Sequence, residues 1–320
     1  MSKEENLSNA LSKLQKKYGQ GVVIDFEDKN TNVEAIPTGS IAIDGLLGCG
    51  GLPRGRIIEV YGQESSGKST LCLFFAAQVQ KQGGVVAYLD VENAYDHAYA
   101  TSVGLDTKKA LISQPQTLEE TFDIIRALTE SNAVDLIVVD SVAAMVPKQE
   151  LESDEMLKDT VALQARLIGK GLRILTGPVS RSKTVVIFIN QLRANVGIMY
   201  GPKDVTPGGK ALKFYSSVRL SVTRGDKLEK DGTQIGNVIK VVAKKNKVGF
   251  PFKEATIDLY YGKGIDLAAE LGEVALAQGV LRKEGNTYYY GEGKLGVGKG
   301  QLSAALQDEK LAAKIKKQLK

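Results

Sequence analysis

The chain has 320 residues, 43% hydrophobic and 25% charged, with a net charge of +5 and a pI near 8.9. That is globular composition, enough for one large α/β domain with appendages, and it excludes a disordered or fibrous chain. One histidine and two cysteines without paired spacing, Cys49 and Cys72, exclude a His/Cys metal centre, and no apolar run reaches the ~20 residues of a membrane span.

The opening MSKEENLSNALSKLQ has no apolar signal core, so the cytoplasm is the expected compartment. Leu7, Leu11, Leu14 and Tyr18 then recur at helical spacing as one apolar stripe, ended by Gly19 and Gly21. Residues 22–26 read as a short strand and residues 27–32 as a polar separator. A helix and a strand bury little alone. The stripe must dock on its own body or on a neighbouring copy, and the pattern leaves both open.

From about residue 35, short β-branched runs alternate with helical stretches. Residues 57–61, 85–90, 136–140 and 184–190 read as buried parallel strands, with helices over 68–81 and 117–130. This alternation predicts a mainly parallel sheet covered on both faces. After Gly209 the runs 217–223, 238–244 and 255–261 follow one another through turns, as antiparallel strands added to one side. A small helical, Gly-rich region begins near residue 268. The last eleven residues hold five lysines and no acid, a pattern that fits a solvated helix face and a DNA contact equally.

The strongest chemical signal is Gly62, Gln63, Glu64, Ser65, Ser66, Gly67, Lys68 and Ser69, which fits G-x4-GK[ST] between a strand and a helix. Glycines let the backbone N–H groups turn toward phosphate oxygens, and the helix start adds a positive dipole. Lys68 is placed to neutralise β- and γ-phosphates and Ser69 to ligate Mg²⁺. Asp140, ending an apolar strand, is the expected second metal partner, because ligands gather at the carboxyl ends of parallel strands. Glu92, just past another strand, is the candidate general base, with a dipole-favoured helix acid as the plain alternative. Gln191 leaves a third strand at the same edge, placed to sense the γ-phosphate.

These residues belong to a longer likeness. The strings EVYGQESSGKST (59–70), VDLIVVDSVAA (134–144), IFINQLR (187–193), GGKALKFYSSVRL (208–220) and KKNKVGFPFKEA (244–255) each resemble signatures of the bacterial RecA recombinase family, over nearly the whole chain. The resemblance implies a DNA-dependent ATPase that uses ATP and Mg²⁺, forms helical filaments on single-stranded DNA and exchanges strands with a duplex. It implies that Glu92 is catalytic, Gln191 senses the γ-phosphate, and Thr70 completes the phosphate loop. Asp96 and Tyr99 then contact adenine, Tyr99 by stacking. Lys245 and Lys247 reach the ATP of the adjacent subunit, and the N-terminal helix packs on a neighbour. Two DNA loops are expected at about 152–161 and 192–207, with Arg166, Arg173, Arg193, Gly208, Gly209 and Lys210 near the strand. Few aromatics lie there, so the grip should rest on backbone charge rather than base identity. A repressor of the LexA type, and with it the SOS response, joins the partners implied; a membrane does not.

The chain departs from the family pattern at Asn93 for a histidine, His97 for a proline, Ala194-Asn195 without a lysine, and Gly169 for a serine. It ends in lysines instead of an acidic tail, as a phage-encoded or shortened member would. The expected organisation is an arm (1–34), a RecA-type core (35–267) and a small C-terminal α+β domain (268–320). The rivals are a ring-forming DNA motor and a small-molecule P-loop kinase. No linker region supports the first, and no arginine cluster for a lid supports the second.

Overall fold

A computed structural model of the chain describes residues 2–19, 33–152, 161–194 and 204–319. The strand expected at 22–26, the separator 27–32 and most of both expected DNA loops lie outside the described residues. The chain divides into two compact units, Met1–Glu34 and Ala35–Lys320.

In the first unit the apolar stripe lies on the helix Lys3–Tyr18. Ser2 and Glu5 start this helix with a reciprocal capping box: the Glu5 amide donates to Ser2 Oγ at 3.2 Å, and the Ser2 amide to Glu5 Oε2 at 2.7 Å.

Among the described residues, the second unit is built on a nine-stranded sheet. Its order is Gly264–Ile265, Glu254–Tyr260, Thr233–Asn246, Val218–Lys230, Ile57–Gly62, Val185–Gln191, Leu136–Asp140, Val86–Asp90, Leu111–Ser113. Alternation along each central strand feeds two cores. Leu136 and Val138 join Ile58, Val60, Ile187 and Ile189 against the helix Lys68–Lys81. Ile137 and Val139 join Ile57, Val186 and Phe188 against the helices Leu118–Glu130 and Val161–Ser182. Each such aliphatic side chain, fully buried, contributes about 1.5–3 kcal/mol.

Register sets the site. Gly62 pairs with Gln191, and Asp90 with Asp140, in parallel strands. All four residues therefore reach one carboxyl edge.

One expectation is corrected. Of the three strands predicted to add antiparallel, Val218–Lys230 runs parallel to Ile57–Gly62, with Val218 opposite Ile58. Among themselves the three strands are antiparallel as expected, Thr233–Asn246 pairing antiparallel with both Val218–Lys230 and Glu254–Tyr260. The first two are also longer than predicted, at 13 and 14 residues. Residues 223–227 are exposed in succession, so the alternation that marks a half-buried strand disappears while the pairing continues.

Beyond the helix Leu267–Ala277, an antiparallel sheet of Arg282–Glu284, Thr287–Tyr290 and Gly293–Val297 and two helices enclose a small core around Tyr288, Leu302 and Ile315. Glu270 ties this region to the rest of its unit. Its carboxylate accepts from Ser40 Oγ at 2.6 Å and from the Ile41 and Ala42 amides at 3.2 Å.

Candidate functional site

The phosphate loop leaves the strand at Gly62 and enters the helix through Gly67, whose φ of +90° is the left-handed region that favours glycine. A Cβ at Gly62 would stand 2.1 Å from the Val222 carbonyl oxygen, so the loop is moulded to bare backbone. Lys68 is 6% exposed and its ammonium donates to the Gln63 carbonyl at 2.7 Å. Burial lowers its pKa, against the pull of Asp140. Ser66 Oγ is buried without a hydrogen-bond partner. An orphaned hydroxyl beside a buried ammonium at a helix start fits phosphate oxygens, so the loop suits the triphosphate of ATP.

Asp140 lies beside the loop. Its carboxylate accepts from Tyr88 Oη at 2.6 Å and from the Ser69 hydroxyl. Burial raises its pKa ahead of those two donors, which pull it down. Among the described residues no group of three or more His, Cys, Asp or Glu can cage a metal. A Mg²⁺ ion held by Ser69 and Asp140 would therefore complete its shell from phosphate and water, as its octahedral preference allows.

Glu92 and Gln191 meet directly. Gln191 Nε2 donates to Glu92 Oε1 at 3.0 Å, and Ser141 Oγ donates to the same oxygen. Asp90, 2% exposed, shapes the turn that carries Glu92: it accepts from the Ala94 amide at 3.1 Å, the Tyr95 amide at 3.0 Å and Gln114 Nε2 at 2.9 Å. Ser69, Glu92 and Asp140 line a cleft of about 140 Å³ together with Tyr95, Asp96 and Tyr99. Asp96 caps the helix His97–Val103 through the Tyr99 amide at 2.9 Å, and the Tyr99 and Thr70 hydroxyls hydrogen-bond at 2.7 Å. His97 is exposed and pairs with the Thr107 hydroxyl at 2.9 Å.

Lys245 and Lys247 are not in that cleft. Lys245 donates to the carbonyls of Lys213 and Phe214 at 2.7 and 2.9 Å, and Lys247 is exposed. Arg166 and Arg173, two helical turns apart on Val161–Ser182, are exposed, as are Arg193 and Lys210. Gly208 and Gly209 adopt φ of +81° and +72°. Cβ atoms there would meet Ile168 Cδ1 at 2.8 Å and Ala165 Cβ at 2.9 Å, on the helix that carries Arg166. The helix that follows the glycine pair begins at Ala211 and runs only to Tyr215.

The family model of the RecA N-terminal domain matches residues 5–266. Protein RecA of Lactobacillus acidophilus is 47% identical over 312 residues, covering 96% of this chain and 86% of that protein. Protein RecA of Thermus aquaticus is 47% identical over 321 residues, covering 98% and 94%. The chain belongs to the RecA family. It is a DNA-dependent ATPase that forms helical filaments on single-stranded DNA and catalyses homologous pairing and strand exchange in recombinational repair. The crystal structure of a RadB recombinase shares the fold, with a TM-score of 0.52 at 23% identity over 72% of this chain and 98% of its own.

Three parts of this RecA-family site escaped the sequence reading. Glu59, fully buried in the central strand, pairs with Arg219 and accepts from Asn190 Nδ2 at 3.1 Å. Asn190 Nδ2 also donates to the Pro207 carbonyl at 3.2 Å, and its Oδ1 accepts the Gln191 amide at 3.0 Å. One buried asparagine thus holds both ends of the second expected DNA loop. A carboxylate in the run IIEVYG was a usable signal, since a buried charge requires a partner. The others are Ser141 and Tyr88, the one hidden next to Asp140 and the other inside an apolar strand.

Proposed function

We propose that ATP is hydrolysed in the cleft between Lys68, Asp140 and Glu92, and that Gln191 transmits the state of the γ-phosphate to the DNA loop. The 3.0 Å bond between Gln191 and Glu92 carries this reading, because it joins base and sensor where that loop begins. Lys68 exchanges the Gln63 carbonyl for phosphate oxygens. Mg²⁺ on Ser69 and Asp140 neutralises charge on the phosphates when bound. Glu92 takes a proton from the attacking water. When the Gln191 amide turns to the γ-phosphate it leaves Glu92 Oε1 and draws on residues 192–207, whose ends Asn190 clamps. Asp96 and Tyr99 hold adenine. Lys245 and Lys247 serve the ATP of a neighbouring subunit, and the N-terminal helix supplies a docking surface for it. Arg166, Arg173, Arg193, Gly208, Gly209 and Lys210 hold the DNA backbone. The reading extends to the cytoplasm as the working compartment and to a LexA-type repressor as a filament partner. Among the described residues no helix is long and apolar enough to cross a membrane.

Gln191→Ala tests the coupling. It should keep nucleotide binding, yet lose about 10-fold or more of the ATP-induced tightening on single-stranded DNA, within the usual range of coupling energies. Fluorescence anisotropy with and without a non-hydrolysable ATP analogue measures it. Equal tightening in the variant would remove Gln191 from the pathway.

The basic C-terminus gives another expected result. Lys310, Lys314, Lys316 and Lys317 are exposed on or beside the helix Glu309–Lys316, while Ile315 on that helix is fully buried. Deleting the segment would open the small core, so charge removal is the cleaner test. Lys310, Lys314 and Lys317 all replaced by Gln should flatten the salt dependence of duplex binding by about 2–3 units, near 0.9 for each phosphate left without its lysine. Identical slopes in a salt titration would make these lysines a solvated face.

A further inference from the structure

Tyr88 sits on the strand Val86–Asp90 with its Cα opposite Val138, and its side chain is 3% exposed. Its face of the strand is core-facing, shared with Val86, and an apolar residue would fill it without polar cost. A buried hydroxyl there is costly unless hydrogen-bonded. Its hydrogen bond is to Asp140 Oδ2, at 2.6 Å. The ring packs at 5.4 Å between centroids on Tyr95, and both rings line the cleft together with Asp140, so the phenol approaches from a fixed direction.

We propose that Tyr88 is a positioning residue that makes Asp140 a one-oxygen ligand and so biases the site toward Mg²⁺ over larger divalent cations. This rests on the reading of Ser69 and Asp140 as the cation's ligands. A neutral phenol is an O–H donor at working pH. With one carboxylate oxygen engaged by that donor, the carboxylate binds a cation through the other oxygen. Mg²⁺ requires single-oxygen ligands in a tight octahedron, whereas Ca²⁺ accepts a bidentate carboxylate at longer range. Removing the phenol hydroxyl frees the carboxylate to rotate and to offer both oxygens. Hydrogen-bonding partners that orient a metal ligand commonly change metal affinity by about 10–100-fold.

The test is equilibrium binding of a fluorescent ADP to the full chain, titrated with Mg²⁺ or Ca²⁺ and repeated in chelator. Tyr88→Phe retains the ring and removes only the hydroxyl. The half-saturating Mg²⁺ concentration should rise about 10-fold. Ca²⁺ should shift less or improve, and binding in chelator should stay unchanged. The unsubstituted protein should itself prefer Mg²⁺, a readout that needs no variant. Asp140→Asn separates the metal site from its orientation. If it leaves the Mg²⁺ requirement untouched, the metal assignment fails and this inference with it. If Asp140→Asn shifts the requirement and Tyr88→Phe does not, Tyr88 alone is overturned. Equal shifts for both cations, or weaker binding in chelator, would reduce Tyr88 to a structural part and overturn the proposal.

Discussion

Glu92→Gln should bind ATP and single-stranded DNA as the unsubstituted protein does, while turnover falls about 10²–10⁴-fold, the usual cost of removing a general base. Glu92 is exposed and contributes nothing to either large core, so the substitution leaves the fold in place. The competing carboxylates are already committed. Asp90 is engaged by two amides and Gln114, and Asp140 by Tyr88 and Ser69. Both donors to Glu92, Ser141 Oγ and Gln191 Nε2, engage Oε1, and among the described residues nothing engages Oε2. A carboxamide keeps the size and much of the hydrogen bonding but cannot accept the proton of water. The measurement is turnover number at saturating DNA, with nucleotide and DNA affinities alongside. An unchanged turnover number would move the base to another residue.

The parts of this site legible in the sequence are those whose chemistry forces a local pattern. The phosphate loop needs glycines at fixed spacing between a strand and a helix, and Gly62–Lys68 announces itself. The convergence of Asp140 and Gln191 on one edge was legible because parallel strands deliver their carboxyl ends together, and the register of Gly62 with Gln191 and Asp90 with Asp140 shows that convergence. Interactions that form only across strands left no such mark. Nothing in the VAYLD run indicates that the Tyr88 hydroxyl meets a carboxylate 52 positions later. The Glu59, Arg219 and Asn190 cluster joins three strands, so each member looked like an isolated polar residue. The direction of Val218–Lys230 was illegible for a related reason. Its partner Ile57–Gly62 lies some 160 residues away along the chain, and a turn-rich link fits either direction.

The paired roles drawn for Lys245 and Lys247 separate in the structure, and this sets the last expected result. Lys245 is half-buried and tied to the Lys213 and Phe214 carbonyls; burial lowers its pKa first, and the charge of Lys247 adds to that. Removing it would strand two acceptors on the helix Ala211–Tyr215, so Lys245→Ala confuses catalysis with loop structure. Lys247 is exposed and its ammonium lies outside the cleft of its own chain, so Lys247→Ala changes charge with little change of fold. If it completes the site of the next subunit, the variant should bind nucleotide normally as a monomer and lose nearly all DNA-stimulated hydrolysis. A head-to-tail filament makes the decisive mixture possible, because each junction joins different faces of two copies. Glu92→Gln supplies an intact Lys247, and Lys247→Ala supplies an intact Glu92. In a random equimolar filament about a quarter of junctions then place a sound Glu92 against a sound Lys247. Hydrolysis should return to roughly that fraction of the unsubstituted rate while either variant alone stays inactive. Electron microscopy of doubly labelled filaments verifies that the copies mix. Mixed filaments that recover no activity at any ratio would show that Lys247 does not act across the junction.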